Sequence, residues 1–278
     1  FLQGTVKKLT LTNTRISGFS YAGGIVGYSD TNSVVDHCTV TSTVAIYAIQ
    51  PNADHFGGIV GNAVSKTATI TNNTSSATVA VKDGLGACNN YGGILGSVAT
   101  GATVSNNLAI GSKVKDSSGK AGAIMGEKKS SANITNNYYI NCTVNGTANA
   151  LNVGCPTEDL PENCAAVSLH TLTLADGVTT TTPPSVNISG TDYYGHGTTI
   201  TLSTTPPATY VGYIYDDNYI VNGTANSGNT FTMPAQDTEV TSSFTTVPIY
   251  KLTMADGITA TGTIAATYGD DNHYLAGT

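Results

Sequence analysis

Val6-Lys7-Lys8-Leu9-Thr10-Leu11-Thr12-Asn13-Thr14 alternates apolar and polar residues over its last positions, the pattern of a half-buried strand. Segments of this kind recur through the first half of the chain. Ile70-Thr71-Asn72-Asn73, Val104-Ser105-Asn106-Asn107 and Ile134-Thr135-Asn136-Asn137 each read as a strand closing on an amide pair. Val35-Asp36-His37-Cys38 takes the same place one unit earlier. Each of the four follows a Gly-Gly-aliphatic-aliphatic-Gly signature. The copies are Gly23-Gly24-Ile25-Val26-Gly27, Gly57-Gly58-Ile59-Val60-Gly61, Gly92-Gly93-Ile94-Leu95-Gly96 and the degenerate Gly122-Ala123-Ile124-Met125-Gly126.

The second small residue of each copy falls at 24, 58, 93 and 123, so the spacings are 34, 35 and 30. From there to the end of the amide strand the interval is 14, 15, 14 and 14 residues. The units therefore vary in length elsewhere, and one loop, around Ile46–His55 and Lys82–Asn90, is expected to take up the difference. A period of 20–50 residues marks a stacked array. The pattern predicts an all-β chain whose first half is a parallel β-solenoid, β-helix-like, with short strands of successive coils stacked into ladders. Ile25, Ile59, Ile94 and Ile124 should form one internal column, and Val35, Ile70, Val104 and Ile134 another. The signature glycines should mark places where a Cβ would clash or where φ is positive. Asn72, Asn106 and Asn136 should stack as an amide ladder, with His37 in their place in the first full unit. Residues 6–14 match the second half of a unit, so the array is expected to begin mid-unit.

The repeat lapses after residue 148, and 149–167 reads as a linker or cap. A second repeat then follows at an offset of 80. His170-Thr-Leu-Thr-Leu-Ala-Asp-Gly-Val178 aligns with Tyr250-Lys-Leu-Thr-Met-Ala-Asp-Gly-Ile258. A small β-sheet repeat domain over 168–247 and an incomplete second copy over 248–278 are expected. Thr199–Leu202 and Glu239–Phe244 read as strands, and Asn222-Gly223 as a hairpin turn.

Composition narrows the setting. Only 10% of residues are charged and Trp is absent, while Thr, Ser, Asn and Gly abound, which suits a β-rich extracellular protein. Residues 1–155 hold ten Lys/Arg against six Asp/Glu, and 156–278 hold one against twelve. The acidic half would repel phosphates and the basic half has no dense stripe, so nucleic acid is not an expected partner. No apolar run is long enough for a membrane span. Of the five cysteines, Cys155 and Cys164 flank a short acidic segment that a disulfide could close; burial as small hydrophobes is the alternative for all five. A chain beginning at Phe1 without a leader is expected to be part of a longer multi-domain protein.

The Gly-Gly-aliphatic-aliphatic-Gly signature with its downstream Ile-x-Asn-Asn strand resembles the GLUG motif of bacterial secreted and surface proteins, over roughly residues 1–148. Tyr194-x-x-Gly-Thr-x-Ile-x-Leu202 and Phe231-Thr-Met-Pro-Ala-x-Asp-x-x-Val-x-x-x-Phe244 resemble internalin-type B-repeats, with Tyr across 213–219 where that family often has Trp. Both resemblances imply a bacterial extracellular or cell-surface location and a non-catalytic role. The GLUG resemblance implies a setting among adhesins, or as an accessory region of a secreted peptidase or glycan-degrading enzyme.

Candidate chemistry is sparse. Asp54-His55, in the longest inserted loop, is the acid/base neighbour pair to weigh as a catalytic candidate, and a polar loop tip is the favoured reading of it. Asp36 aligns with Thr71, Ser105 and Thr135, so no column of carboxylates forms there for hydrolysis. Asp216-Asp217-Asn218 and Asp270-Asp271-Asn272 lack the spacing of a Ca²⁺ loop, and no cofactor or metal is expected. Tyr193, Tyr194, Tyr213, Tyr215 and Tyr219 are candidate contacts to a host protein or glycan, since such rings bind both, although strand packing uses Tyr as well.

Overall fold

The structure is a computed structural model describing residues 1–117, 120–128, 132–148, 166–204, 213–214, 218–242, 247–261, 264, 266–268 and 271–275. Among the described residues it contains strands and no helix, so no helix is long and apolar enough to cross a membrane. The chain divides into two compact units, Phe1–Leu169 and His170–Thr278. The linker or cap over 149–167, with Cys155 and Cys164, lies outside the described residues except for Ala166 and Val167.

The first unit is a parallel β-solenoid. Each full coil carries five short strands, and five rows of them run along the stack. One row holds Ala22–Gly23, Asp54–Gly57, Asn89–Gly92 and Ala121–Gly122; the next holds Val26–Ser29, Val60–Ala63, Leu95–Val98 and Met125–Lys128. The third contains the strands ending before the amide pairs: Thr5–Lys7, Val34–Asp36, Thr69–Thr71, Thr103–Ser105 and Asn133–Thr135. Val6 pairs with Val35 in this row, so residues 5–7 are the counterpart of a later half-coil, as the pattern of the opening segment requires.

Register places each apolar residue on its own copy. Val35, Ile70, Val104 and Ile134 stack in one column. Backbone bonds connect Ile25, Ile59, Ile94 and Ile124 in the same way, each N–H donating to the next coil's isoleucine carbonyl at 2.9–3.0 Å. A third column, Ile16, Ile46, Val79, Val114 and Val144, was not foreseen. Phe56 and Tyr91 stack in register with ring centroids 5.0 Å apart, between Ala22 and Ala121. Length variation falls in two corners rather than one. The segment before the Asp54 and Asn89 strands accounts for part of it, and residues 41–44 in one coil answer to 76–77 in the next.

The amide ladder exists, one residue later than expected. Asn72, Asn106 and Asn136 are exposed and left-handed, with φ of 56, 55 and 52°, as are Lys8 and His37 at the same corner. Asn tolerates this conformation better than most residues. The corner turns these side chains outward and the next residue inward. Asn73, Asn107 and Asn137 are therefore the fully buried rungs. Asn107 Oδ1 accepts from the Asn73 backbone N–H and Nδ2 at 3.0 and 2.9 Å, while its own Nδ2 donates to Ile70 O and Asn137 Oδ1 at 2.9 Å. Cys38 ends the ladder, its backbone N–H donating to Asn73 Oδ1 at 2.9 Å.

The signature glycines are required for space, since none has a positive φ. A Cβ on Gly24, Gly58 or Gly93 would meet the carbonyl oxygen of Gly58, Gly93 or Ala123 in the following coil. It would also press on Val40, Ser75 or Ser112 across the interior. The last copy has no later signature to collide with, which accounts for Ala123. The third glycine faces the other way, Gly61 onto Gly27, Gly96 onto Gly61 and Gly126 onto Asn90 and Tyr91, so it persists to the last coil.

In the second unit, Leu172–Leu174 pairs with Thr238–Val240, whose strand also pairs with the hairpin Tyr219–Val221/Thr224–Asn226. Asn222 and Gly223 turn that hairpin with φ of 48 and 77°, as their dipeptide predicts. Thr199–Thr204 joins Val178–Thr180 and Thr230–Thr232. Val178, Tyr194, Ile200, Leu202, Tyr219, Met233 and Val240 form the core. The incomplete copy departs from this plan. Val247–Lys251 pairs with Asp271–Leu275, and Leu252, Met254 and Ile258 are exposed where Val178, the counterpart of Ile258, is buried.

Two substitution pairs test the stacking. Gly58→Ala should cost about 3 kcal/mol or more, because backbone on both sides must move, whereas Ala123→Gly should cost about 1 kcal/mol. Asn107→Ala leaves several buried partners unpaired and should cost about 3 kcal/mol or more, while Asn106→Ala should cost about 1 kcal/mol for the left-handed backbone. Urea denaturation midpoints of the purified chain would read both; equal losses within either pair would contradict the assignment.

Candidate functional site

The most differentiated surface of the solenoid is a groove of about 830 Å³ beside the Val26–Ser29, Val60–Ala63, Leu95–Val98 and Met125–Lys128 row. In that row Tyr28, Asn62, Ser97 and Glu127 are in register, one per coil. Four different side chains occupy this column, as different ones do in the Lys7–Asp36–Thr71–Ser105–Thr135 column. Asn62, Ser97 and Glu127 line the groove, with Asp30 and Lys66 among the residues around them and His55 also in the wall. Ser97 Oγ donates to Glu127 Oε2 at 2.9 Å, and Asp30 Oδ2 accepts from Gln3 Nε2 at 3.2 Å. Asn62 is only 8% exposed, and among the described residues its side-chain amide has no hydrogen-bond partner.

His55 reaches the groove because it is left-handed, with φ of 65°, like Tyr21 and Asn90 at the same corner of neighbouring coils. The backbone bulge there explains the third signature glycine, since a Cβ on Gly61 or Gly96 would strike the carbonyl carbon of Tyr21 or His55. Tyr21 stacks on His55 with centroids 5.2 Å apart and planes 27° apart, and meets Tyr28 edge-on at 5.5 Å. Tyr21 is 44% exposed. Tyr21 thus lies beside His55, which lines the groove. Asp54-His55 is not a loop tip; it opens the strand Asp54–Gly57. His55 Nδ1 lies 2.8 Å from Asp54 Oδ1 but out of line for a hydrogen bond.

The remaining expectations resolve as follows. Tyr194 and Tyr219 are 5% and 2% exposed core residues, and Tyr219 Oη shares a 2.8 Å hydrogen bond with Thr204 Oγ1, so neither offers a ring to a ligand. Tyr193 is half-buried at the end of the hairpin Val186–Ile188/Thr191–Tyr193. Tyr213 has a described backbone only, in the strand Tyr213–Ile214, and Tyr215 lies outside the described residues. Asp216, Asp217 and Asp270 also lie outside them, and among the described residues no three metal-ligating side chains cluster. Cys38, Cys88 and Cys142 are buried and, among the described residues, in no disulfide. Burial pushes the Cys142 thiol up to about 11, which makes it unreactive at neutral pH.

Asp36 is the one acid in its column and is engaged by its neighbours. It accepts from Asn72 Nδ2 at 2.8 Å and Thr71 Oγ1 at 3.0 Å, and lies 2.9 Å from His37 Nδ1 and 3.5 Å from Lys7 Nζ. The bonds from Asn72, then His37, hold its carboxyl well below the usual carboxylate range.

Architecture and surface together define a repeat protein built as a parallel β-solenoid, with a separate small β-sheet module after it. Residues 20–45 match the family model of the GLUG motif, and residues 177–248 match that of a divergent InlB B-repeat domain. Each match covers less than half of the chain; register extends the GLUG pattern to the other coils. Both module types are typical of bacterial surface or extracellular proteins. No curated protein and no solved structure matches the chain.

Asp36 generates a pH test. Its folded value is depressed, so its contribution is fully present above its ordinary value of 3.8 and is lost as pH falls below it. Urea midpoints should fall progressively from about pH 4 down to about pH 2, and Asp36→Asn should be less stable at about pH 6, with the gap to the native chain still wide at about pH 3 and narrowing below it, because the loss runs from the ordinary carboxylate value down to the depressed folded one. A gap that stays constant would show that the carboxylate charge is not what Asn72 and His37 recognise.

Proposed function

We propose that the chain is a non-catalytic, adhesin-like part of a bacterial cell-surface or secreted protein, serving as a scaffold that presents ligand-binding surface to host proteins or glycans. The observation that carries this reading is the use of the solenoid's side chains. Val, Ile and Asn positions are occupied by contact with their own copies in the neighbouring coils. The groove column departs from that repetition: its four side chains differ and are polar, with Asn62 and Ser97 buried beside the groove and Tyr28 and Glu127 partly exposed. The matched modules add support, since both types occur in bacterial surface or extracellular proteins. Asp54 and His55 lack the aligned hydrogen bond by which an acid orients a catalytic imidazole.

Antibody raised against the chain should label intact cells of the source bacterium, and beads carrying the whole chain should be retained on immobilised host glycoproteins. Labelling only after lysis, or beads retained no better than albumin-coated ones, would remove this reading.

A further inference from the structure

The groove column combines three features. It is polar in every coil, as Tyr28, Asn62, Ser97 and Glu127. Its Asn62 is 8% exposed and its side chain has no protein partner among the described residues, so its amide is open to the groove. His55 in its wall carries the partly exposed Tyr21 stacked on it, and Tyr21 in turn meets Tyr28 edge-on. An amide that faces an open groove without a protein partner is available to hydrogen-bond a solute there.

We propose that this groove binds a neutral glycan chain lying along the solenoid axis, which rests on the reading of the chain as a ligand-presenting surface protein. The flat, apolar face of a pyranose ring complements an exposed aromatic face, and Tyr21 offers one at the groove's edge. The planar amide of Asn62, the carboxylates of Glu127 and Asp30 and the hydroxyl of Ser97 supply the donors and acceptors that vicinal hydroxyls require. Coils repeat at about 4.8 Å, the strand spacing, which is close to the length of one pyranose unit. An extended sugar chain therefore meets a new polar side chain at each coil. Charge selects the ligand class. Asp30 and Glu127 outnumber Lys66 in the lining, which disfavours sialylated, sulfated and phosphorylated chains.

The test uses the whole chain against a panel of neutral oligosaccharides (glucans, mannans, galactans and N-acetylhexosamine oligomers) and of sialylated and sulfated ones, measured by array and by titration calorimetry. Tyr21→Asn removes the ring while keeping a residue that tolerates the left-handed backbone. Asn62→Leu replaces the unpaired amide with an apolar group of similar size. Binding to at least one neutral oligosaccharide is expected, with affinity at least tenfold lower in each variant and unchanged in Tyr193→Ala of the second unit. Asn62→Leu should keep or raise the urea midpoint while losing the sugar, an outcome that a merely structural role would not give. Binding confined to acidic glycans, binding unaffected by both groove variants, or no binding to any sugar on the panel would each overturn the proposal. In the last case, retention of the chain on host protein would leave its surface role standing without this site; no retention on protein either would remove both.

Discussion

Everything in the first unit answers to one constraint: each residue lies about 4.8 Å, one strand spacing, from its own counterpart in the next coil. At that distance identity is an advantage for some side chains and a penalty for others. Branched aliphatics pack on copies of themselves, and amides pair with copies of themselves because Asn carries both donors and acceptors. Like charges cannot be stacked without repulsion. The low charge content follows from this, and so does Lys7 opposite Asp36, a register pair that places opposite charges on successive coils. The glycines follow too. Where the coil bends sharply a Cβ points along the stack rather than away from the sheet, and the next coil's carbonyl already occupies that space.

This constraint explains which parts of the structure were legible in the sequence. A column is visible as a period, so the Ile25–Ile124 and Val35–Ile134 columns and the opening half-coil could be read from spacing alone. The Ile16–Val144 column was hidden by the variable corners before it, since residues 41–44 and 76–77 shift its spacing from coil to coil. Choosing between two adjacent asparagines is a different problem. Both recur with the same period, and only the left-handed turn at the first sends the second inward. A sequence rule could have found it: Cys38, a small apolar-tolerant residue, aligns with the second position and the exposed His37 with the first.

The groove was illegible for the opposite reason, because it is where repetition stops. Tyr28, Asn62, Ser97 and Glu127 share no chemistry, so no self-comparison of the sequence groups them. Their offsets from the signature are nonetheless constant: each lies one residue after its third glycine. Aligning the coils and asking which columns vary in chemistry would have picked them out along with others, such as Lys7–Asp36–Thr71–Ser105–Thr135. The tyrosines of the second unit misled for a related reason. Their number suggested a surface, but in a module with no Trp and a small core, Tyr194 and Tyr219 are among the bulkiest side chains available to fill it.

A scaffold of this kind separates stability from recognition more completely than a globular domain does. Coils are held by nearest-neighbour contacts, so a column on the outer face can change residue by residue while the interior columns and the Asn73–Asn107–Asn137 ladder keep the stack in register. The one coupling between the two runs through the Tyr21–His55–Asn90 corner. Its left-handed backbone both turns His55 into the groove and requires glycine at 61, 96 and 126. The third glycine of the signature is thus the point at which the shape of the coil and the shape of the groove are set by the same residue. The second glycine, which faces only the next coil, is free to become Ala123 where the signature ends.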